Sequence, residues 1–111
     1  LFILTEKCYA CILEYTDGKI TTRAYGDMKD KNFAISNAGV HACIDPESRI
    51  IALRLYDGII KIINLTQTNR QLTASTQRIE EIQVLDMIFL HTTQKPTIAL
   101  LYEDQHVSNL F

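Results

Sequence analysis

The sequence has only four glycines and two prolines, and no apolar run approaches the ~18 residues that a membrane-spanning helix needs. Acidic and basic residues are interspersed and the net charge is −2, so no basic stripe marks a surface for nucleic acid. The phosphate-binding loop, the dinucleotide fingerprint and the serine nucleophile elbow are all missing. We therefore expect no membrane contact, at most indirect contact with nucleic acid, no cofactor and no enzymatic activity.

Fifteen isoleucines and eleven threonines dominate the composition instead, and these residue types favour strands over helices. Hydrophobic residues make up 47% of the chain and charged residues 22%, which is typical of an ordered globular protein. The length of 111 residues is that of one ordinary domain.

Three cysteines, an odd number, together with an opening "LFILTEK" that lacks the basic part of a secretory signal, favour a reducing compartment. Cys8 and Cys11 form a CxxC pair, and His41 with Cys43 could complete a Cys₃His zinc set. However, residues three apart in a strand face opposite sides of a sheet. We therefore expect structural thiols and no metal site, with zinc as the alternative.

Short apolar runs separated by turn residues predict a series of strands. The predicted strands cover residues 1–5, 9–15, 20–25, 40–44, 50–56, 59–65, 72–77, 83–91, 97–102 and 106–111. Residues 78–91 also fit an amphipathic helix, but their position in the chain and the short segments around them favour a strand. Asp86 within that run is predicted to be a buried carboxylate that ties a turn, and Arg54 and Lys61 are predicted to pair with such carboxylates.

The stretch "DPESRIIALRLYDGIIKIINL", residues 45–65, predicts a β-hairpin around Asp57-Gly58. Ile51, Leu53 and Leu55 should point to one face, and Ile50, Ala52, Arg54 and Tyr56 to the other. Both faces are largely apolar, so we expect both to be covered, as in a sheet held between two neighbouring sheets.

The runs also repeat, because "LYDG" and "LYED" end equivalent strands 46 to 47 residues apart, and "LFILT" occupies the same place one interval earlier. Four strands in about 45 residues are typical of β-propeller blades. The predicted fold is all-β, with the end of one blade at 1–25, a loop at 26–38, a full blade at 39–78 and the start of the next at 79–111. A ring needs at least four blades, so we expect a fragment of a longer chain that would self-associate, aggregate or be unstable alone.

The predicted binding surface consists of loops, which converge on one face of a propeller. The long polar segment 26–39 contains Phe33 and Ile35, and it is either a partner contact or an irregular crossover between blades. The candidate contacts are Asp27, Phe33, Ile35, Asn37, Asp57, Gly58, Glu103 and Asp104.

One family resembles the chain over nearly its whole length, through "LFILT", "ACILEY", "IDPESRIIALRLYDG", "RIEEIQVLDMIFL" and "PTIALLYED". It is the family of the large subunit of the damaged-DNA-binding protein, the triple-propeller adaptor of type-four cullin–RING ubiquitin ligases. The chain is similar to part of the first propeller. The connections after Tyr15 and Tyr102 are shorter than in the family, and segment 28–37 lacks its Gly-Arg-Pro character.

This resemblance implies a non-enzymatic scaffold that helps bind substrate receptors in DNA repair and protein ubiquitination, in the nucleus and the cytoplasm. It implies that the cullin is bound only through other propellers of a full-length protein. Propeller scaffolds of pre-messenger-RNA cleavage, polyadenylation and splicing share the architecture and are the alternative.

Overall fold

The computed structural model describes residues 1–30, 40–56, 58–79, 84–102 and 107–110. Within these ranges the chain forms ten strands and no helix, which confirms the predicted all-β class. The strands are β1 (Phe2–Leu4), β2 (Tyr9–Thr16), β3 (Lys19–Asp27), β4 (His41–Ile44), β5 (Ile50–Tyr56), β6 (Ile59–Asn64), β7 (Ser75–Arg78), β8 (Val84–Phe89), β9 (Ile98–Tyr102) and β10 (Val107–Leu110). A search of this part of the chain for a helix able to cross a membrane finds none.

The described strands pair in chain order into three antiparallel sheets. Sheet 1 has the order β1-β2-β3, sheet 2 the order β4-β5-β6-β7, and sheet 3 the order β8-β9-β10. The first strands of the sheets are neighbours, since β4 contacts β8 and Phe2 of β1 lines a cavity with Ala42 of β4. Side-by-side sheets with their first strands together are the arrangement of propeller blades, and here the series stays open.

Sheet 2 is covered on both faces, as the apolar hairpin at residues 45–65 predicts. Ile51, Leu53 and Leu55 of β5 pack in one core cluster with Ala10 and Ile12 of sheet 1. Ala52 of β5, with Ile60 and Ile62 of β6, packs in a second cluster with side chains of sheet 3. The sheet 3 members of that cluster are Val84, Met87, Phe89, Ile98, Leu100 and Tyr102. Because a neighbouring sheet packs on each side, neither face of the hairpin meets solvent, which explains why neither face has the usual row of polar residues.

The predicted orientation of Tyr56 is wrong. Its side chain packs in the cluster shared with sheet 1, although strict alternation from Ile50 and Ala52 would point it toward sheet 3. The pairing of β5 with β6 shifts register between Leu53 and Tyr56, and such an irregularity breaks the alternation of faces.

The turn between the first two strands has the same construction in sheets 1 and 2. The Cys8 amide donates to the Thr5 carbonyl at 2.9 Å, and the Ser48 amide donates to the Asp45 carbonyl at 2.8 Å. Cys8 and Ser48 both have positive φ, of 64° and 58°. Thr5 and Asp45 therefore occupy equivalent places 40 positions apart, which agrees with a repeat. The place predicted for "LFILT" is wrong, however, because it forms the first strand of its sheet, equivalent to β4, whereas "LYDG" and "LYED" end the second strands β5 and β9.

Contacts between sheets show which strand ends lie together. Tyr25, near the end of β3, forms a bridge with Gln71, which follows β6, and Arg49 after β4 donates to the Gln94 carbonyl after β8. We call this shared end the loop end, and the opposite end, where short turns join β2 to β3 and β5 to β6, the hairpin end. The loop end contains segments 5–8, 45–49, 65–74 and 90–97.

Candidate partner-binding surface

Two of the predicted contact residues, Asp27 and Gly58, lie in the described part of the chain. The remaining candidates lie outside the described residues: Phe33, Ile35, Asn37, Asp57, Glu103 and Asp104. Asp27 ends β3 at the loop end, and Gly58 lies in the turn between β5 and β6 at the hairpin end. The structure therefore places these two residues at opposite ends of the sheets.

Gly58 has a structural role in its turn. Its φ of 74° lies in the left-handed region, which glycine adopts without a steric penalty. Its carbonyl accepts a hydrogen bond of 3.0 Å from the Ile79 amide, which joins the hairpin to the chain leaving β7.

Asp27 lies in a groove at the corner of sheet 1. The groove has a volume of about 430 Å³ and is lined by Tyr9, Tyr25, Gly26, Asp27, Arg70 and Gln71. Tyr9 and Tyr25 are both more than half exposed. One carboxylate oxygen of Asp27 accepts a hydrogen bond of 2.9 Å from the Lys29 amide. The groove thus presents two aromatic rings and a carboxylate to solvent.

The opposite wall of the groove comes from sheet 2. The Tyr25 amide donates to the Arg70 carbonyl at 3.0 Å, and the Leu72 amide donates to the Tyr25 carbonyl at 2.7 Å. The exposed Arg70 side chain forms no hydrogen bond or ion pair with any residue of the described ranges. Its guanidinium group is therefore available to a partner. Arginine and tyrosine are enriched among the residues that dominate protein interfaces.

Gly26 makes this close approach of the two sheets possible. A Cβ atom at Gly26 would lie 2.2 Å from the Leu72 carbonyl oxygen, nearer than atoms can approach. Gly26 is therefore needed for the space it leaves and not for its backbone conformation, since its φ lies outside the left-handed region.

The start of the predicted loop at 26–38 is held between sheets 1 and 2. The Met28 amide donates to the Cys8 carbonyl at 2.8 Å, and the Asp30 amide donates to the Tyr56 hydroxyl at 2.6 Å. The Asp30 carboxylate lies 3.0 Å from Nζ of Lys61, which is buried. Lys61 therefore pairs with a carboxylate, as expected, and the pair fixes the direction in which the chain leaves sheet 1.

The buried carboxylate that ties a turn is Asp45, and the prediction for Asp86 is wrong. The Asp45 side chain is fully buried and accepts hydrogen bonds from Arg49 Nε at 2.6 Å, Nη2 at 2.9 Å and the Arg49 amide at 3.0 Å. These bonds hold the pKa of Asp45 below its ordinary value of 3.8. Asp86 is largely exposed, because it lies beside the register shift in β8, and one of its oxygens lies 3.5 Å from His41 Nε2.

Arginine side chains tether the three sheets at the loop end. Arg49 Nη1 donates to the Gln94 carbonyl at 2.8 Å, which joins sheet 2 to the loop of sheet 3. Arg23 of sheet 1 donates to the carbonyls of Leu65 and Gln67 at 2.7 and 3.3 Å, which joins it to the loop of sheet 2. The loop end is therefore a connected surface rather than three separate edges.

The cysteines do not converge. Cys8 precedes β2 and packs in the core between sheets 1 and 2, whereas Cys11 pairs with Ile3 and Tyr25 on the other face of sheet 1. Cys43 packs against the core between sheets 2 and 3. The described ranges contain no group of three or more His, Cys, Asp or Glu side chains that could hold a metal ion.

Cys43 should react slowly with thiolate-directed reagents. Burial, with a smaller contribution from Asp86, raises its pKa from 9.0 to about 11. Because the thiolate is the reactive form, we expect its alkylation by iodoacetamide at pH 8 to be about a hundredfold slower in the folded than in the urea-unfolded protein. Peptide mass spectrometry measures both rates. Equal rates in the two states would show that the thiol is not protected.

Sequence reasoning missed most of the groove. Tyr9 and Tyr25 lie in strands and resemble ordinary strand residues, and Arg70 and Gln71 lie in a polar loop without a motif.

Comparisons with known proteins agree with this architecture. Residues 1–110 match the family model described as RSE1/DDB1/CPSF1 first beta-propeller. The chain is 42% identical over 106 residues, 94% of its length, to DNA damage-binding protein 1b and 1a of Arabidopsis thaliana and to DNA damage-binding protein 1 of Oryza sativa subsp. japonica. It spans about 10% of the length of each of these relatives. The chain belongs to the RSE1/DDB1/CPSF1 first beta-propeller family.

Proposed function

We propose that the chain is a non-enzymatic scaffold module of a cullin–RING ubiquitin ligase adaptor, which helps to bind substrate receptors in DNA repair and protein ubiquitination. It acts in the nucleus and the cytoplasm. The cullin itself is bound by other propellers of a longer adaptor.

The main support is the 42% identity over 94% of the chain to proteins named DNA damage-binding protein 1. The family model groups such proteins with other propeller proteins, but these relatives favour the adaptor over an RNA-processing scaffold. The loop end adds a physical reason, since its groove combines exposed tyrosines with a free guanidinium group.

The proposed receptor contacts are of two kinds. Asp27, Tyr9 and Arg70 belong to the groove. The other proposed contacts come from the sequence alone, from segments predicted to be loops and turns: Phe33, Ile35, Asn37, Asp57, Gly58, Glu103 and Asp104.

Co-purification tests the proposed assembly. The protein that carries "IDPESRIIALRLYDG" is isolated from its source with an antibody to that segment, and its partners are identified by mass spectrometry. We expect a cullin and several receptor proteins. Recovery of polyadenylation or splicing factors without a cullin would replace the adaptor with an RNA-processing scaffold.

The groove is tested by replacing Arg70 with alanine. Removing a guanidinium group that a receptor contacts should raise the Kd of a receptor from that preparation about tenfold, measured by isothermal titration calorimetry. Lys19→Ala is the matched control, because it removes an exposed cation at the hairpin end of sheet 1. If both variants bind as tightly as the unchanged protein, the groove is not the receptor site.

A further inference from the structure

Sheet 1 has three described strands, whereas sheet 2 has four. The turns that precede the third strands, β3 and β6, contain Gly18 and Gly58, which lie 40 positions apart, as Thr5 and Asp45 do, and have similar positive φ values of 79° and 74°. The first residues of β3 and β6 are therefore equivalent at the same interval. The place that β7 holds beside β6 has no occupant beside β3 within the described ranges.

The main-chain groups of Ile20 and Thr22 point out of sheet 1 at this place. Leu13 lies opposite Thr22, and it exchanges hydrogen bonds of 2.7 and 3.0 Å with Leu1 on its other side. The N–H and C=O groups of Thr22 are therefore directed away from β2, and alternation gives Ile20 the same direction. No residue of the described ranges forms a main-chain hydrogen bond with either residue at this edge.

The equivalent edge of sheet 2 shows what fits there. Ile62 pairs with Ser75 and Ile60 with Gln77, in an antiparallel ladder between β6 and β7. The loop-end half of the β3 edge is filled as well, because Tyr25 forms its two main-chain hydrogen bonds with segment 70–72 of sheet 2. The outer edge of β3 therefore already accepts main-chain pairing, and only its half toward the hairpin end is open.

The described chain that leaves β3 runs away from this open half. Met28 is buried in the core between sheets 1 and 2, and its amide donates to the Cys8 carbonyl. Asp30 is held by Tyr56 and Lys61 of sheet 2. The chain thus enters the gap between the two sheets. The strands on both sides of the open place in the sequence, β3 and β4, are described, so the opening lies within the chain and not at one of its ends.

We propose that the outer edge of β3 at Ile20 and Thr22 binds an extended segment of a partner protein, which adds to sheet 1 as its fourth strand, antiparallel to β3. The open half is bounded by the turn at Gly18 and by Arg23, whose side chain bonds to the carbonyls of Leu65 and Gln67. It therefore suits one short strand such as β7, which has four residues. Main-chain hydrogen bonds supply affinity in this mode of recognition.

The side chains of β3 define the segment that fits. Ile20 is 68% exposed and Thr22 is also exposed, so β-branched residues opposite them gain favourable cross-strand contacts. The partner residues at these two places must donate an N–H group, which excludes proline. This contact is separate from the groove at Asp27 and Arg70, and it does not depend on the proposed binding of receptors.

Hydrogen exchange with a strand peptide tests the edge in the full-length protein. The probe is a synthetic peptide of residues 72–79, LTASTQRI, with Gln77→Val to place a β-branched residue opposite Ile20. At about ten times the Kd of the peptide, exchange of the Ile20 and Thr22 amides should slow about tenfold. Mass spectrometry with fragmentation that resolves single amides measures both rates.

Two outcomes of this experiment would overturn the proposal. The first is exchange that stays unchanged up to millimolar peptide. The second is amides that are protected before the peptide is added, because another part of the protein, or a second copy of it, would then hold the edge.

Two controls separate strand pairing from a general contact. The same peptide with N-methyl groups on residues 75 and 77 keeps its side chains but cannot donate to β3, so it should not slow exchange. In the protein, Ile20→Pro removes one outward N–H and should raise the Kd of the peptide, measured at the Thr22 amide, about fivefold.

Thr21→Ala is the matched control for Ile20→Pro, because Thr21 is an exposed neighbour whose main-chain groups point to β2. It should leave the Kd of the peptide unchanged, and circular dichroism checks that both variants keep their strands. Equal protection by the N-methylated peptide would show that the contact is not a strand pairing.

Discussion

Replacing Asp45 with alanine is expected to lower the free energy of unfolding by about 3 kcal/mol. The carboxylate is fully buried and accepts three hydrogen bonds from Arg49, two from the side chain and one from the main chain. Removing it leaves the guanidinium group without its main acceptor and the Arg49 amide without its bond, so the turn between β4 and β5 loosens. Urea unfolding monitored by circular dichroism measures the loss.

Glu47 provides the control for Asp45. It lies 3.5 Å from the same Arg49 Nε, but its side chain is exposed, and exposed ion pairs contribute little. Glu47→Ala should change stability by less than about 0.5 kcal/mol. A loss of similar size in both variants would show that the stability comes from the charge of Arg49 and not from the buried network.

The same carboxylate predicts part of the acid sensitivity. Because the folded protein lowers the pKa of Asp45, its contribution is present above the ordinary value of 3.8 and is lost as the pH falls below that value through the folded pKa. Asp45→Asn should therefore flatten the decrease of stability below pH 3.8. An unchanged decrease would assign the acid sensitivity to other carboxylates.

Gly26→Ala is expected to lower the free energy of unfolding by about 3 kcal/mol. The added Cβ atom would lie only 2.2 Å from the Leu72 carbonyl oxygen. The neighbour is main chain, so it cannot rotate away. Relief requires β3 to separate from segment 70–72, which breaks the two hydrogen bonds of Tyr25 to that segment. The same urea measurement gives the loss.

Gly18→Ala separates steric exclusion from the general effect of replacing a glycine. Gly18 has a φ of 79° and no atom within 4 Å of a Cβ at that position, so its replacement costs only the strain of a left-handed residue, about 1 kcal/mol. If Gly26→Ala lowers the free energy of unfolding no more than Gly18→Ala does, sheets 1 and 2 are not in close contact at Tyr25.

The strands and their two-sided burial could be predicted because those signals are local. The hairpin at residues 45–65 shows in its own sequence both the Asp-Gly turn and the lack of a polar face. The repeat followed from the equivalent endings of β5 and β9, whereas "LFILT", which forms the first strand β1, was matched to the wrong strand. The orientation of Tyr56 could not be predicted, because the register shift before it depends on the pairing with β6 and has no marker in β5 itself.

The groove could not be predicted for a different reason. It depends on Tyr25 lying opposite Gln71, which is far away in sequence, and main-chain hydrogen bonds from Tyr25 to Arg70 and Leu72 hold them there. Main-chain hydrogen bonds form largely irrespective of side-chain type, so the sequence of neither segment predicts which segment it pairs with. The prediction for Asp86 failed for a related reason, since the register shift beside it depends on the pairing of β8 with β9 and has no marker in the apolar run itself.

The arginine tethers at the loop end all donate to main-chain carbonyls, those of Leu65, Gln67 and Gln94. A carbonyl is present whatever side chain the residue carries. The loops can therefore exchange their side chains during evolution while the sheets keep their relative positions, provided that Arg23 and Arg49 remain. The fold thus separates the residues that hold the blades in register from those free to acquire new recognition properties.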